Sequence, residues 1–265
     1  MLGLTLTKNS WAWGACGKHP LARDFFYAGP KDSFIQAVAD WIKNGYQRLT
    51  QPGWTGKDFF SWRFWARGQK KGFLSCGVIR DSSDSIGRPF PLMIMGSGPL
   101  KGWEEQWDLV PLVCEETWAH MEYMAARRFD GFDQFEKDLK LIKPPSPRWS
   151  DIRPETQASP SCNLTDLSRI TAALINDMSV TITMGNASST DLNQQAGAWH
   201  LLLKENIKYA PSSVFMGGGS SSGSYMAVFS RALVAKDFMG LWSGASIQNK
   251  SSESVPGAIG GHELQ

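Results

Sequence analysis

Gly219-Ser220-Ser221-Ser222-Gly223 has the G-x-S-x-G spacing that, in a hydrolase, lifts a serine nucleophile onto a tight strand-to-helix turn. Its context argues against that chemistry. Such an elbow must feed a helix, whereas Ser224 to Phe229 reads as a strand, and a Gly/Ser-rich tract meets the spacing by composition alone. The same tract lacks the lysine of a phosphate-binding loop, and Gly53-Trp54-Thr55-Gly56-Lys57-Asp58 has its lysine at the wrong spacing. Cys16, His19 and Asp24 offer a thiol, a base and a carboxylate in one loop. Cys-x-x-His alone completes neither a zinc site nor a triad, and His120, His200 and His262 follow no ligand pattern. Neither a metal nor a cofactor is expected, and a serine or cysteine hydrolase is the least favoured function.

Asp24 and Arg88 stand out for another reason. Asp24 precedes Phe25-Phe26-Tyr27 and Arg88 precedes Pro89-Phe90, each at a loop boundary, and charged anchors beside aromatics suit a binding surface. Around Arg88 the chain reads DSSDSIGRPFPLMIM from Asp81 to Met95. Gly87 can take positive φ and Pro89 pushes Arg88 towards an extended conformation, which makes a rigid corner. The competing reading is that Asp84 or Asp24 caps a turn and Arg88 pairs with a neighbouring carboxylate. Residue chemistry alone leaves both open.

These residues need a frame. The pattern predicts a first strand over Trp11 to Cys16 and a loop over Gly17 to Pro30. A capping box at Ser33-x-x-Gln36 then opens a helix whose stripe runs Phe34, Ile35, Val38, Trp41, Ile42, Gly45, Tyr46 and Leu49. Strands follow at Phe59 to Ala66, Gly72 to Ile79 and Phe90 to Met95. The last lacks polar alternation, as a strand covered on both faces would, with Pro91 tolerated only near its start. Trp103 to Phe129 carries one apolar helical face, interrupted near Pro111, with Glu104, Glu105 and Asp108 early and Arg127 and Arg128 late, as the helix dipole favours. Further on, helices are expected at Leu164 to Met178, Gln194 to Ile207 and Val234 to Trp242, and strands at Ser213 to Met216 and Tyr225 to Ser230. The GGGSSSGS tract reads as a flexible hairpin loop. An antiparallel meander between helices makes the fold α+β, with a mainly antiparallel sheet.

The expected organisation is a core over 1–143, a Pro/Ser-rich linker over 144–161, a segment over 162–249 that completes or flanks the core, and a disordered tail over 250–265. With 27 Lys plus Arg against 25 Asp plus Glu, the net charge of +2 gives no electrostatic reason to expect nucleic acid. No uninterrupted apolar stretch is long enough to insert in a membrane and no secretory signal is visible, so a cytoplasmic protein is expected. Cys16, Cys76, Cys114 and Cys162 lack CxxC spacing and read as buried thiols. The sequons at Asn163 and Asn186 are then incidental.

Several motifs resemble the bacterial type VI secretion-associated TagF family, also called ImpM. Gly17-Lys18-His19-Pro20 followed by Arg23-Asp24-Phe25 is similar to its opening signature, Trp62-Arg63-Phe64 to its middle strand, and Asp84-Ser85-Ile86-Gly87-Arg88-Pro89-Phe90-Pro91-Leu92 to its glycine-arginine segment. The close resemblance spans residues 12 to 130, and Ser213 to Met216 with Phe238 to Gly244 is similar to the family's C-terminal strand and short helix. Arg23 stands where the family usually has glycine, Asp81-Ser82 where proline-serine is common, and Val214-Phe215-Met216 where the strand is usually tryptophan-rich. The resemblance implies an α/β sandwich with helices on both faces. It also implies a cytoplasmic accessory protein, without chemistry of its own, that restrains type VI secretion after translation through a scaffold protein bearing a forkhead-associated domain. A structural or assembly subunit of the secretion machine is the alternative. On this reading Lys18, Asp24, Phe25, Asp84, Arg88 and Phe90 touch the partner, while Gly17, Pro20, Gly87 and Pro91 shape the loops that present them.

Overall fold

The computed structural model describes residues 10–50, 58–146, 149–150, 152, 164–185, 189–220 and 223–243. Among these residues, eight strands form one antiparallel sheet: β1 (Ala12–Gly17), β2 (Phe26–Ala28), β3 (Phe60–Arg67), β4 (Phe73–Arg80), β5 (Leu92–Pro99), β6 (Ser179–Gly185), β7 (Ser213–Gly219) and β8 (Gly223–Phe229). Their order across the sheet is β2-β1-β5-β4-β3-β7-β8-β6, so the meander β3-β4-β5 lies at the centre and β3 joins it to the late strand β7. The fold is α+β.

Two apolar layers follow from strand alternation. Trp65, Leu74, Cys76, Val78, Ile94, Val214 and Val228 face α2 (Val110–Ala126), α3 (Phe132–Lys140), α4 (Leu164–Asn176) and α5 (Ser189–Asn206). Trp62, Phe64, Ile79, Met93, Met95, Phe215 and Phe229 face α1 (Ser33–Leu49) and α6 (Ala235–Ser243). Burial on both faces is why the central strands read as apolar runs rather than alternating ones.

Several local expectations are corrected. Asp32, not Ser33, caps α1, its Oδ1 accepting from the amides of Phe34 (2.8 Å) and Ile35 (3.0 Å). Gln36 instead donates to Asp40 across one turn. A carboxylate at the N-cap satisfies two orphan amides and also complements the dipole. The stretch Gly17 to Pro30 is not all loop, because β2 pairs with β1, and three residues are too few to show a period. The third meander strand starts at Leu92 rather than Phe90, since Pro91 has no amide for the ladder, and it extends to Pro99. Trp103 to Phe129 is not one helix: a 3-10 turn over Trp107–Leu109 leads into α2, which Pro111 opens rather than breaks, its missing amide costing nothing in the first turn. Arg127 is already extended, and Glu104 binds the Gly72 amide (2.7 Å) instead of a helix end.

Helix α3 and strand β6 appear where no element was expected, although Ser179–Gly185 carries the β-branched run of a strand. The GGGSSSGS tract is less loop than its composition implied, because β7 continues through Gly219 and β8 begins at Gly223. Most of 144–161 and all of 250–265 lie outside the described residues, as do Gly53 to Lys57, Ser221, Cys162, both sequon asparagines and His262. Among the described residues no helix is long and apolar enough to cross a membrane.

Candidate functional site

The loop after β1 and the corner before β5 meet at one end of the sheet. Gly17 ends β1 at φ +117, with the position of a Cβ only 2.1 Å from the Pro91 carbonyl oxygen. Only glycine lets these two segments approach so closely. Pro20 then directs a turn closed by the Ala22 amide on the His19 carbonyl (2.9 Å), and Ser85 reaches across to the Ala22 carbonyl (2.8 Å).

Asp84 lies at the junction, with its side chain fully buried. Its Oδ1 accepts from the amides of Ile86 (3.2 Å) and Arg88 (2.9 Å), and its Oδ2 from Lys18 Nζ (3.1 Å) and Arg88 Nε (2.7 Å). Burial alone would push this carboxyl up, but the amide and cationic donors outweigh it and hold Asp84 well below the usual carboxylate range. Lys18 is itself buried, whereas Arg88 stays exposed, donating to the Arg23 carbonyl (2.6 Å) and pairing with Asp24 at 3.5 Å. Phe25 packs edge-on against Phe90 (4.7 Å) and over Lys18 Nζ (5.0 Å), and Phe90 rests on Tyr46 of α1 (4.9 Å). Phe25 and Ile86 nevertheless remain 57% and 59% exposed.

The structure therefore brings Lys18, Asp24, Phe25, Asp84, Arg88 and Phe90 together. Asp84, Lys18 and Phe90 are inside, tying the loops to the core, and Asp24, Phe25, Ile86 and Arg88 are outside. Asp84 caps the turn with Oδ1 and holds the two cations with Oδ2. Gly87 sits at φ +84 with open space around it, so Gly87→Val is expected to cost about 1–3 kcal/mol of backbone strain. Arg88→Ala leaves Asp84 with Lys18 and two amides and should lower the melting temperature by less. Melting the two proteins side by side decides it: an Arg88→Ala protein less stable than Gly87→Val would make the arginine part of the core.

The Cys16/His19 loop has a different character. Burial and the nearby Asp40 carboxylate push the Cys16 thiol up to about 12, far from a thiolate nucleophile. Burial holds His19 below its ordinary value; its Nδ1 accepts from the Leu21 amide (3.1 Å) and its ring packs among Phe26, Phe129 and Phe135. Among the described residues no cluster of three His, Cys, Asp or Glu side chains could hold a metal ion.

Two constellations escaped the sequence reading. Arg63, in the middle of β3, binds both oxygens of Glu122 and one of Glu115, each at 2.7 Å. An arginine inside a strand covered on both faces is the signal that could have found it, since such a charge must be paired. His200 on α5 accepts from Trp65 Nε1 (3.0 Å) and donates from Nδ1 to the Ala196 carbonyl (2.6 Å). The indole can only donate, so Nε2 carries no proton and the ring is neutral. A single histidine on an apolar helix gives no such hint.

Solved structures share this fold. The crystal structure of PA0076 from Pseudomonas aeruginosa PAO1 matches with a TM-score of 0.51 at 20% identity, over 88% of this chain and 95% of that one. No curated protein sequence matches the chain. Residues 14–142, which hold both loops of the site, match the TagF N-terminal domain, type VI secretion system-associated.

Proposed function

Because residues 14–142 belong to the type VI secretion system-associated TagF N-terminal domain family, we propose that this chain is a cytoplasmic accessory protein that restrains type VI secretion after translation. It does so by binding a scaffold component that carries a forkhead-associated domain, without chemistry of its own. One observation carries the reading: Phe25, Ile86 and Arg88 are held outside the fold by a network whose anchor, Asp84, is inside it. Exposed aromatic and arginine side chains on a pre-organised frame are the usual centres of protein interfaces, and pre-organisation lowers the ordering cost of binding.

A folded Asp24→Ala, Arg88→Ala double variant is the test, scored for scaffold binding and for repression of secretion when overproduced. Binding is expected to weaken by at least about tenfold, with repression lost in parallel. The Lys18–Asp84 pair survives in that variant, so its fold should persist. Wild-type binding and repression by the double variant would move the interface elsewhere. Stoichiometric copurification with the assembled machine would favour a structural subunit.

A further inference from the structure

The sheet end that carries the loop site also carries a cleft of about 340 Å³, on the face between α2 and α5. Strand registers align Gly17, Leu92, Arg80, Ser61, Gly218 and Ser224 in one row across the sheet, and the last two strands of that row floor the cleft with almost no side-chain bulk. Its walls include Phe59, Trp118 and Met184. Among the described residues its polar lining is Ser61, Arg63, Glu122, Ser224 and Ser220, whose hydroxyl donates to Asp58 (2.6 Å), and Glu115 of α2 holds Arg63 from outside that lining.

The charge balance selects the ligand. Arg63 already spends Nε and both terminal nitrogens on two carboxylates, so an anion would have to break charge-assisted bonds and then face those same carboxylates. Arg80 lies in the field of Glu122 and stacks on Phe59 at 4.9 Å, but enters no ion pair among the described residues. Among the described residues, Asp58, Glu115 and Glu122 in and beside the cleft therefore outnumber Arg63 and Arg80. The Glu115 and Glu122 side chains are 39% and 34% exposed, so water and a second cation can reach them. A planar cation that can pair with a carboxylate and lie along an aromatic wall fits this surplus better than a compact ammonium.

We propose that the cleft beside Arg63 receives the guanidinium of an arginine side chain from a protein partner, paired to Glu122 and Glu115 and bordered by Trp118 and Phe59. The test needs no partner. Protein labelled with 5-fluorotryptophan, its Trp118 resonance identified by Trp118→Phe, is titrated with N-acetyl-arginine amide, N-acetyl-citrulline amide, free arginine and sodium sulfate. A saturable shift of the Trp118 signal is expected with the arginine amide, at least tenfold weaker with the isosteric neutral citrulline amide. Glu122→Gln should weaken the arginine amide at least tenfold while the fluorine spectrum stays dispersed; if that variant does not fold, Glu115→Gln and the arginine–citrulline comparison carry the same test. Equal response to citrulline, a shift that does not saturate, or a Trp118 response to sulfate instead would overturn the proposal. Tighter binding of free arginine than of the capped amide would overturn it in favour of a metabolite site.

Discussion

Trp65→Ala is expected to remove about 5 kcal/mol of stability, combining the loss of a buried indole with an orphaned acceptor on His200. A domain is stable by only about 5–15 kcal/mol, so the variant should sit at the edge of unfolding. Trp65→Phe isolates the polar part: it keeps most of the packing against Trp103 and Trp107 but leaves the His200 Nε2 without its donor, for about 1–3 kcal/mol. Burial holds His200 down to about 4 from an ordinary 6.5, outweighing the Ala196 carbonyl and the Asp108 carboxylate, which act in the opposite direction. The unfolded chain takes up the proton first. His200 therefore contributes its full stability above pH 6.5 and loses it as the pH falls towards about 4, a total of about 3 kcal/mol. Urea melts at pH 7 and pH 5 measure the slope, and His200→Gln should remove its share of it, leaving that of His19, also depressed, and the opposite one of Asp81, whose carboxyl burial pushes up. A Trp65→Ala protein within about 1 kcal/mol of wild type would refute the packing account.

The second large effect belongs to the loop site. Asp84→Ala deletes the acceptor of four donors and leaves Lys18, buried, without its one ion pair among the described residues. The loop Gly17 to Pro30 and the corner Asp81 to Pro91 then lose the group that fixes them to each other. The melting temperature should fall further than for Arg88→Ala, and the proposed scaffold binding should weaken by more than about tenfold, because the exposed side chains of the site lose the buried group that holds them. Asp84→Asn, which keeps the shape and one acceptor oxygen, should fall between the two. Acidity gives an independent readout. The folded carboxyl lies below its unfolded value, so its stabilisation is complete above about pH 4 and is lost as the pH drops through the acid range below that. His200 contributes no slope there, because it titrates above that range. Acid unfolding that begins at the same pH in wild type and Asp84→Ala, or an Asp84→Ala protein that melts with Arg88→Ala, would remove Asp84 from its place as anchor.

Local pattern carried much of the architecture. The stripe from Ile35 to Leu49 was enough for α1, since a helix averages its environment over one face and every fourth residue reports it. The local pattern was enough for β4 as a strand and, from its apolar run, for β5 as a strand covered on both sides, and Gly87 with Pro89 for the corner between them. Those features depend on neighbours within a few positions. Residue types likewise singled out Asp24 and Arg88, but not that Asp84 would hold Arg88 and Lys18 on one oxygen.

That choice is made by the order of strands. β1 and β5 are adjacent though 92 follows 17 by a long chain excursion, and their pairing of Gly17 with Leu92 is what delivers Lys18 to Asp84. The same holds for β3 beside β7, which brings His200 of the preceding helix α5 against Trp65 and opens the glycine-floored cleft next to Arg63. A charge or a lone histidine carries no periodicity, so its partner is written only in the contact that closes around it. Burial makes that contact compulsory, because a polar group taken out of water must find its complement inside, and the three-dimensional packing alone decides which one is there.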